Sequence, residues 1–216
     1  MNIWLNGTFG VGKTTTAAHL EALTGRRLFD PEHVGYMLQA SLGDVMRAGG
    51  LTDFQQLAPW RALVPQVARS IVDLTGSELI LVQTVLVEEY WHELRRGMDA
   101  AGLPVFHVVL EADEATMRDR IEHDELEPGA RDWRLEHLAR FQAARPWLVS
   151  NADLVLDTTT LSAEHVAAAI VGAAATVWAL PPAQRTKVHT AVQRWRGAPP
   201  GSRTPNQWIK SPLLYH

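Results

Sequence analysis

The chain has 216 residues, enough for one α/β domain with a short appendage, and at 46% hydrophobic and 20% charged residues it has the apolar mass for a sizeable core. It contains no cysteine, which excludes disulfides, thiolate metal sites and thiol nucleophiles. The net charge of −4 is unevenly spread: every acidic residue precedes position 183, whereas Arg185, Lys187, Arg194, Arg196, Arg203 and Lys210 follow it, so an acidic body carries a basic C-terminal segment.

In chain order, Ile3–Asn6 is an apolar, strand-like run. Gly7-Thr8-Phe9-Gly10-Val11-Gly12-Lys13-Thr14 then fits the phosphate-loop pattern G-x-x-x-x-G-K-[ST] at every position. Lys13–Leu23 reads as a helix with Ala17, Leu20 and Leu23 on one stripe. The strand Arg27–Phe29 is closed by Asp30, and Pro31–Met46 is helical from its first proline. Further on come a helix at Pro59–Thr75, a strand at Glu78–Val85, a helix at Glu88–Ala101, a strand at Pro104–Leu110 and a helix at Glu114–Glu125. A polar break at 126–132 precedes a helix at Trp133–Ala143, a strand at Leu154–Leu156 and a helix at Ala163–Ala179. Strands alternating with helices predict an α/β fold with a parallel sheet covered on both faces. The runs at 79–82 and 105–110 lack polar alternation, as buried parallel strands do. Ligands are expected at the carboxyl ends of the strands.

The loop dictates the chemistry. Gly7 and Gly12 allow a backbone that wraps a phosphate with its N–H groups turned inward, and the first helix adds its positive dipole end. The expected cradle is Gly7, Thr8, Phe9, Gly10, Val11, Gly12, Lys13, Thr14 and Thr15. Lys13 supplies a charge to the β- and γ-phosphates of ATP, and the Thr14 hydroxyl is a ligand for Mg²⁺.

A switch GTPase needs a D-x-x-G at a strand end and an N-K-x-D; the D-x-x-G at Asp73-Leu74-Thr75-Gly76 ends a helical stretch, and there is no N-K-x-D. A motor ATPase closes a long apolar strand with an acid, but Leu79–Val82 is followed by Gln83. A compact kinase remains. Asp30 reads two ways: a carboxylate that activates or orients an attacking hydroxyl, or the cap of the helix opened by Pro31. Arg120, Arg131 and Arg134 bracket the polar break, so the stretch near 118–134 reads as a lid whose arginines meet the nucleotide, or as a solvated helix junction. Tyr36, Arg61 and Gln83 are the candidates for holding an acceptor alongside Asp30, with core packing the alternative for Tyr36 and for Trp60. The nine histidines show no metal-ligand spacing.

Ile3 to Thr14 resembles the opening of the tunicamycin-resistance ATP-binding proteins. Phe29-Asp30-Pro31-Glu32-His33-Val34-Gly35 resembles their second-strand segment, and Asp53-Phe54-Gln55 with Pro59-Trp60-Arg61 is similar to a third stretch. The likeness runs over residues 1–180; more distantly the chain is similar to chloramphenicol phosphotransferase, gluconate kinase and shikimate kinase. The resemblance implies a P-loop nucleoside-triphosphate hydrolase fold with five parallel strands in the nucleotide-kinase order 2-3-1-4-5, ATP with Mg²⁺, and resistance to a nucleoside antibiotic. It implies a catalytic role for Asp30 and for Arg120, the arginine before the lid. Where the family tends to have a second arginine, this chain has Asp124.

The expected activity is therefore transfer of the ATP γ-phosphoryl group to a hydroxyl of a small molecule, tunicamycin or another uridine nucleoside. Sequestration of the drug without modification, or a nucleoside or nucleotide kinase, are the other readings. The expected organisation is a kinase-like domain at 1–180, a basic amphipathic helix at 181–197 and a tail at 198–216. The resemblance associates the helix (184–196) with peripheral membrane contact; docking on the protein's own surface is the alternative. No nucleic-acid partner is expected, because the basic stretch is short and the body acidic. With no signal peptide in view and no apolar run of about 18 residues, the expected location is cytoplasmic, with peripheral attachment at the inner membrane surface as the alternative.

Overall fold

A computed structural model describes residues 1–124 and 128–179. The basic helix and tail expected beyond Leu180 lie outside the described residues. Five strands, β1 (Asn2–Asn6), β2 (Arg27–Phe29), β3 (Leu79–Val82), β4 (Val105–Glu111) and β5 (Leu154–Asp157), form one sheet in the order β2-β3-β1-β4-β5. All four pairings are parallel. The helices are α1 (Lys13–Thr24), α2 (Glu32–Ala48), α3 (Ala58–Thr75), α4 (Glu88–Ala100), α5 (Glu114–Glu122), α6 (Arg131–Asn151) and α7 (Ala163–Ala179). Sheet and order are those the resemblance implied.

Period-two alternation explains how both faces of the sheet are covered. Ile3 and Leu5 of β1 face a core built with Leu20 of α1 and Val166 and Ile170 of α7. Trp4, between them, faces a second core with Trp60 and Val64 of α3 and Trp91 and Leu94 of α4. A third cluster sets Phe141, Ala144 and Leu148 of α6 against Val109 and Val155. Trp60 is thus core, whereas Tyr36, for which packing was the alternative expectation, is 52% exposed.

Two elements differ most from expectation in length. β3 stops at Val82 rather than Val85, and Val85 gives its backbone N–H and carbonyl to the Asn6 side chain. The sixth helix runs on to Asn151 rather than ending at Ala143, and carries Pro146 inside it. Pro146 removes one helical hydrogen bond, but the continuing turn buries Leu148 completely, and that packing holds the helix together.

Candidate active site at the sheet's carboxyl edge

The turn from β1 to α1 is fixed by sterics. Gly7 and Gly10 have φ of 134° and 76°. A β-carbon on Gly7 would lie 2.4 Å from the Leu110 carbonyl oxygen, and one on Gly10 2.6 Å from that of Met117. Glycine is therefore required twice over, by the backbone and by the close approach of β4 and α5. Asn6 anchors the turn: its Oδ1 accepts from the Gly7 N–H at 2.8 Å and the Val85 N–H at 2.9 Å, and its Nδ2 donates to the Val85 carbonyl at 3.1 Å. Behind it, fully buried His107 stacks on Trp91 at 3.8 Å. Its Nδ1 lies 2.9 Å from the Asn151 carbonyl and its Nε2 3.4 Å from Asn6 Nδ2, so the neutral tautomer with the proton on Nδ1 fits both partners.

The loop has the properties of an anion site. No side chain caps the N-terminus of α1, so its first N–H groups face the loop mouth without a competing side-chain acceptor. Lys13 Nζ donates to the loop's own carbonyls, Gly7 at 3.1 Å and Thr8 at 2.8 Å. Burial pushes its ammonium down to about 7; Arg134 adds to the fall, while Glu32 and, less strongly, Asp30 oppose it. A desolvated cation among carbonyls is a poor resting state and a good partner for phosphate. Thr14 is exposed at the first turn of α1, where its hydroxyl is open to a cation carried by phosphates. Among the described residues no group of three His, Cys, Asp or Glu side chains could hold a metal by itself.

Asp30 closes β2. Its Oδ1 accepts from the Glu32 N–H at 2.8 Å, so the helix-cap role exists, and the same carboxylate lies within electrostatic reach of Lys13. Glu32, in the first turn of α2, acts on Lys13 more strongly than Asp30 does and accepts a hydrogen bond from Tyr36 Oη at 2.8 Å. Gln83, at the end of β3, is 2% exposed; its Oε1 accepts from the Thr84 N–H at 3.0 Å, and its Nε2 has no partner among the described residues.

The arginines are distributed differently from a set converging on phosphate. Arg120 donates to the Gly10 carbonyl at 3.0 Å and to Thr158, at 3.3 Å to its Oγ1 and 2.9 Å to its carbonyl. Thr158 Oγ1 in turn donates to the Val11 carbonyl at 3.0 Å. Arg120 therefore clamps the outer side of the loop, and with Gly12, Thr15, Thr16, Thr158 and Leu161 it lines a cavity of about 290 Å³ beside α1. Arg134 pairs with Asp124, the residue standing where a second arginine was expected, and lies 5.6 Å above the Phe9 ring. Phe9 also meets Trp133 at 4.9 Å and His137 at 5.4 Å, so the start of α6 is seated on the phosphate loop by aromatic contact. The structure does not bring Arg131 to the loop: it pairs with Glu122 and Asp132. Nor is Arg61 presented to an acceptor; it is held by Glu93 and the Gln55 carbonyl and stacked on Tyr90 at 4.3 Å. Sequence reasoning missed Glu32, whose one signal is its place two residues after Asp30 at the helix start. It also missed Thr158 and the seating of Trp133 and His137 on Phe9, for which no local signal exists.

A parallel sheet in this order, with a glycine-bound phosphate loop after its central strand and carboxylates beyond the end of the edge strand β2, defines a kinase-like P-loop nucleotide-binding protein. The AAA domain family matches residues 3–148, and the chain belongs to it. Among solved structures it is similar to the tunicamycin resistance protein of Deinococcus radiodurans, at 28% identity and a TM-score of 0.54 over 84% of this chain and 99% of that one. It is also similar to the shikimate kinase of Acinetobacter baumannii bound to shikimate, at 19% identity and TM-score 0.56 over 81% and 93% of the two chains. A third is the APS kinase of Mycobacterium tuberculosis bound to AMPPNP and APS, at 21% and 0.54 over 81% and 96%. No curated protein matches the chain. Among the described residues no helix is long and apolar enough to cross a membrane.

Proposed function

We propose that this protein transfers the γ-phosphoryl group of ATP to a hydroxyl of a small molecule, with tunicamycin the first acceptor to test. The observation that carries this reading is the phosphate loop with its desolvated Lys13 set within electrostatic reach of Glu32 and of Asp30, the carboxylate that closes β2. A loop lysine within reach of carboxylates, with no acid closing β3 where a motor ATPase has one, suits an acceptor hydroxyl better than a hydrolytic water. The drug is suggested by the likeness to the Deinococcus protein.

In this reading the α1 N-terminus and the backbone of Gly7–Gly12 hold the phosphates. Lys13 leaves the Gly7 and Thr8 carbonyls for the β- and γ-oxygens. The cavity beside Arg120 and Thr158 receives the base. Mg²⁺, when bound beside Thr14, would neutralise charge on the phosphate oxygens. Asp30 accepts the proton of the attacking hydroxyl through the oxygen not used to cap α2.

Two measurements test this. Mass spectrometry of tunicamycin after incubation with protein and Mg²⁺-ATP should show addition of one phosphoryl group. A drug that binds tightly yet stays unchanged would favour sequestration, and turnover of uridine or nucleoside monophosphates instead would favour a nucleoside or nucleotide kinase. Asp30→Asn keeps an oxygen for the cap, so it should preserve fold and ATP binding while lowering transfer by about two to four decades. Transfer within a factor of about three of wild type would leave Asp30 as a cap alone.

A further inference from the structure

We infer that the acceptor is an uncharged, hydroxyl-bearing molecule and not an anion; this deepens the kinase reading and rests on it. The chain offers Arg61, Arg120, Arg131 and Arg134 for gripping a carboxylate or phosphate on an acceptor, and the structure commits each of them elsewhere. Arg61 is held by Glu93 and the Gln55 carbonyl. Arg120 is spent on Gly10 and Thr158. Arg131 pairs with Glu122 and Asp132, and Arg134 with Asp124. At the end of β2 and the start of α2 stand Asp30 and Glu32, the two carboxylates whose fields reach the Lys13 ammonium, and the one guanidinium whose field also reaches it, Arg134, is paired with Asp124. An anionic acceptor would meet two carboxylates with no uncommitted guanidinium from this set to offset them.

The same edge carries groups that suit a neutral polar molecule. The Glu32 carboxylate is held by Tyr36 Oη at 2.8 Å and is a hydrogen-bond acceptor for a hydroxyl or N–H. The Tyr36 ring is half exposed, with His33 at 6.4 Å and Phe54 at 6.1 Å edge-on to it, which makes a shelf for a ring. On the adjacent strand, where Phe29 of β2 is opposite Leu81 of β3, the chain runs two residues further to Gln83. Its buried Nε2 is a donor without a partner among the described residues, suited to a carbonyl or hydroxyl oxygen. One carboxylate to accept, one amide to donate and an aromatic face are the equipment for a sugar or nucleoside.

The test offers wild-type protein, with Mg²⁺-ATP, matched acceptors that differ in charge: uridine against UMP, and glucose against gluconate, reading ADP release. The neutral member of a pair should raise the rate at least about tenfold more than the anion. Glu32→Lys should narrow or invert the preference, and its melting temperature shows whether it is folded. An anion that works as well as its neutral partner overturns the inference. If neither class is phosphorylated, the kinase reading falls, and equilibrium binding of tunicamycin decides what remains. Binding weakened about tenfold by Glu32→Gln upholds a neutral-ligand site, whereas equal binding by both proteins, or none by wild type, overturns it.

Discussion

Lys13 makes nucleotide binding a proton-uptake reaction. In the free protein burial lowers its ammonium to about 7, so half of the molecules carry a neutral lysine at that pH. Bound phosphates favour the charged form and lift the group towards its ordinary value near 10.4. Above pH 7 the complex therefore holds more protons than free protein, and affinity must fall as pH rises. At pH 9 only about 1% of free Lys13 is charged, against half at pH 7, so Kd for ADP with Mg²⁺ should rise about 50-fold, or about 2 kcal/mol. The nucleotide's own phosphates are ionised throughout this window and contribute little. Isothermal titration at pH 8 in buffers of unlike ionisation enthalpy should report uptake of about 0.9 proton per nucleotide. Zero uptake with a flat Kd from pH 7 to 9 would refute the reasoning. The neighbours supply signed controls: Arg134→Met should move the midpoint up, because Arg134 lowers Lys13, and Glu32→Gln should move it down.

Other consequences are simpler to measure. Gly10→Ala forces a β-carbon to 2.6 Å from the Met117 carbonyl at φ 76°, so it should cost at least about 2 kcal/mol, lower the melting temperature by about 5 °C and weaken nucleotide binding. Leu148→Ala, in the turn beyond Pro146, should cost about 2–5 kcal/mol in urea unfolding, because that side chain is fully buried; a negligible cost would mean the last turn of α6 contributes no packing. Trp133 rests on Phe9 of the loop, so its fluorescence should change when nucleotide fills the loop, and Trp133→Phe should remove most of that change.

Much of this architecture was legible because it is written in local pattern. The phosphate loop is a contiguous motif, and Ile3–Leu5 and Leu79–Val82 announce buried strands by unbroken apolar runs. The extent of α6 was not, because Pro146 is a breaker by local rule and only the core built by Phe141, Ala144 and Leu148 overrides it. The site's charges were half legible. That Asp30 closes β2 can be read from Phe29-Asp30-Pro31, but the destination of an arginine depends on which carboxylate or carbonyl the fold brings to it. Arg61 meets Glu93 from another helix, and Arg120 meets Thr158 from beyond β5; no spacing encodes either. Glu32 was overlooked for the same reason, since its reach to Lys13 exists only once β2 and β1 stand in one sheet.

The most direct trial of the phosphoryl-transfer reading is a crystal structure with Mg²⁺ and AMPPNP. The terminal phosphoryl group should lie against Lys13 Nζ, the base in the cavity beside Thr158, and the Asp30 carboxylate should face the terminal phosphorus with room for one hydroxyl between them. A nucleotide bound away from Gly7–Thr14, or an Asp30 side chain turned from that phosphorus, would contradict it.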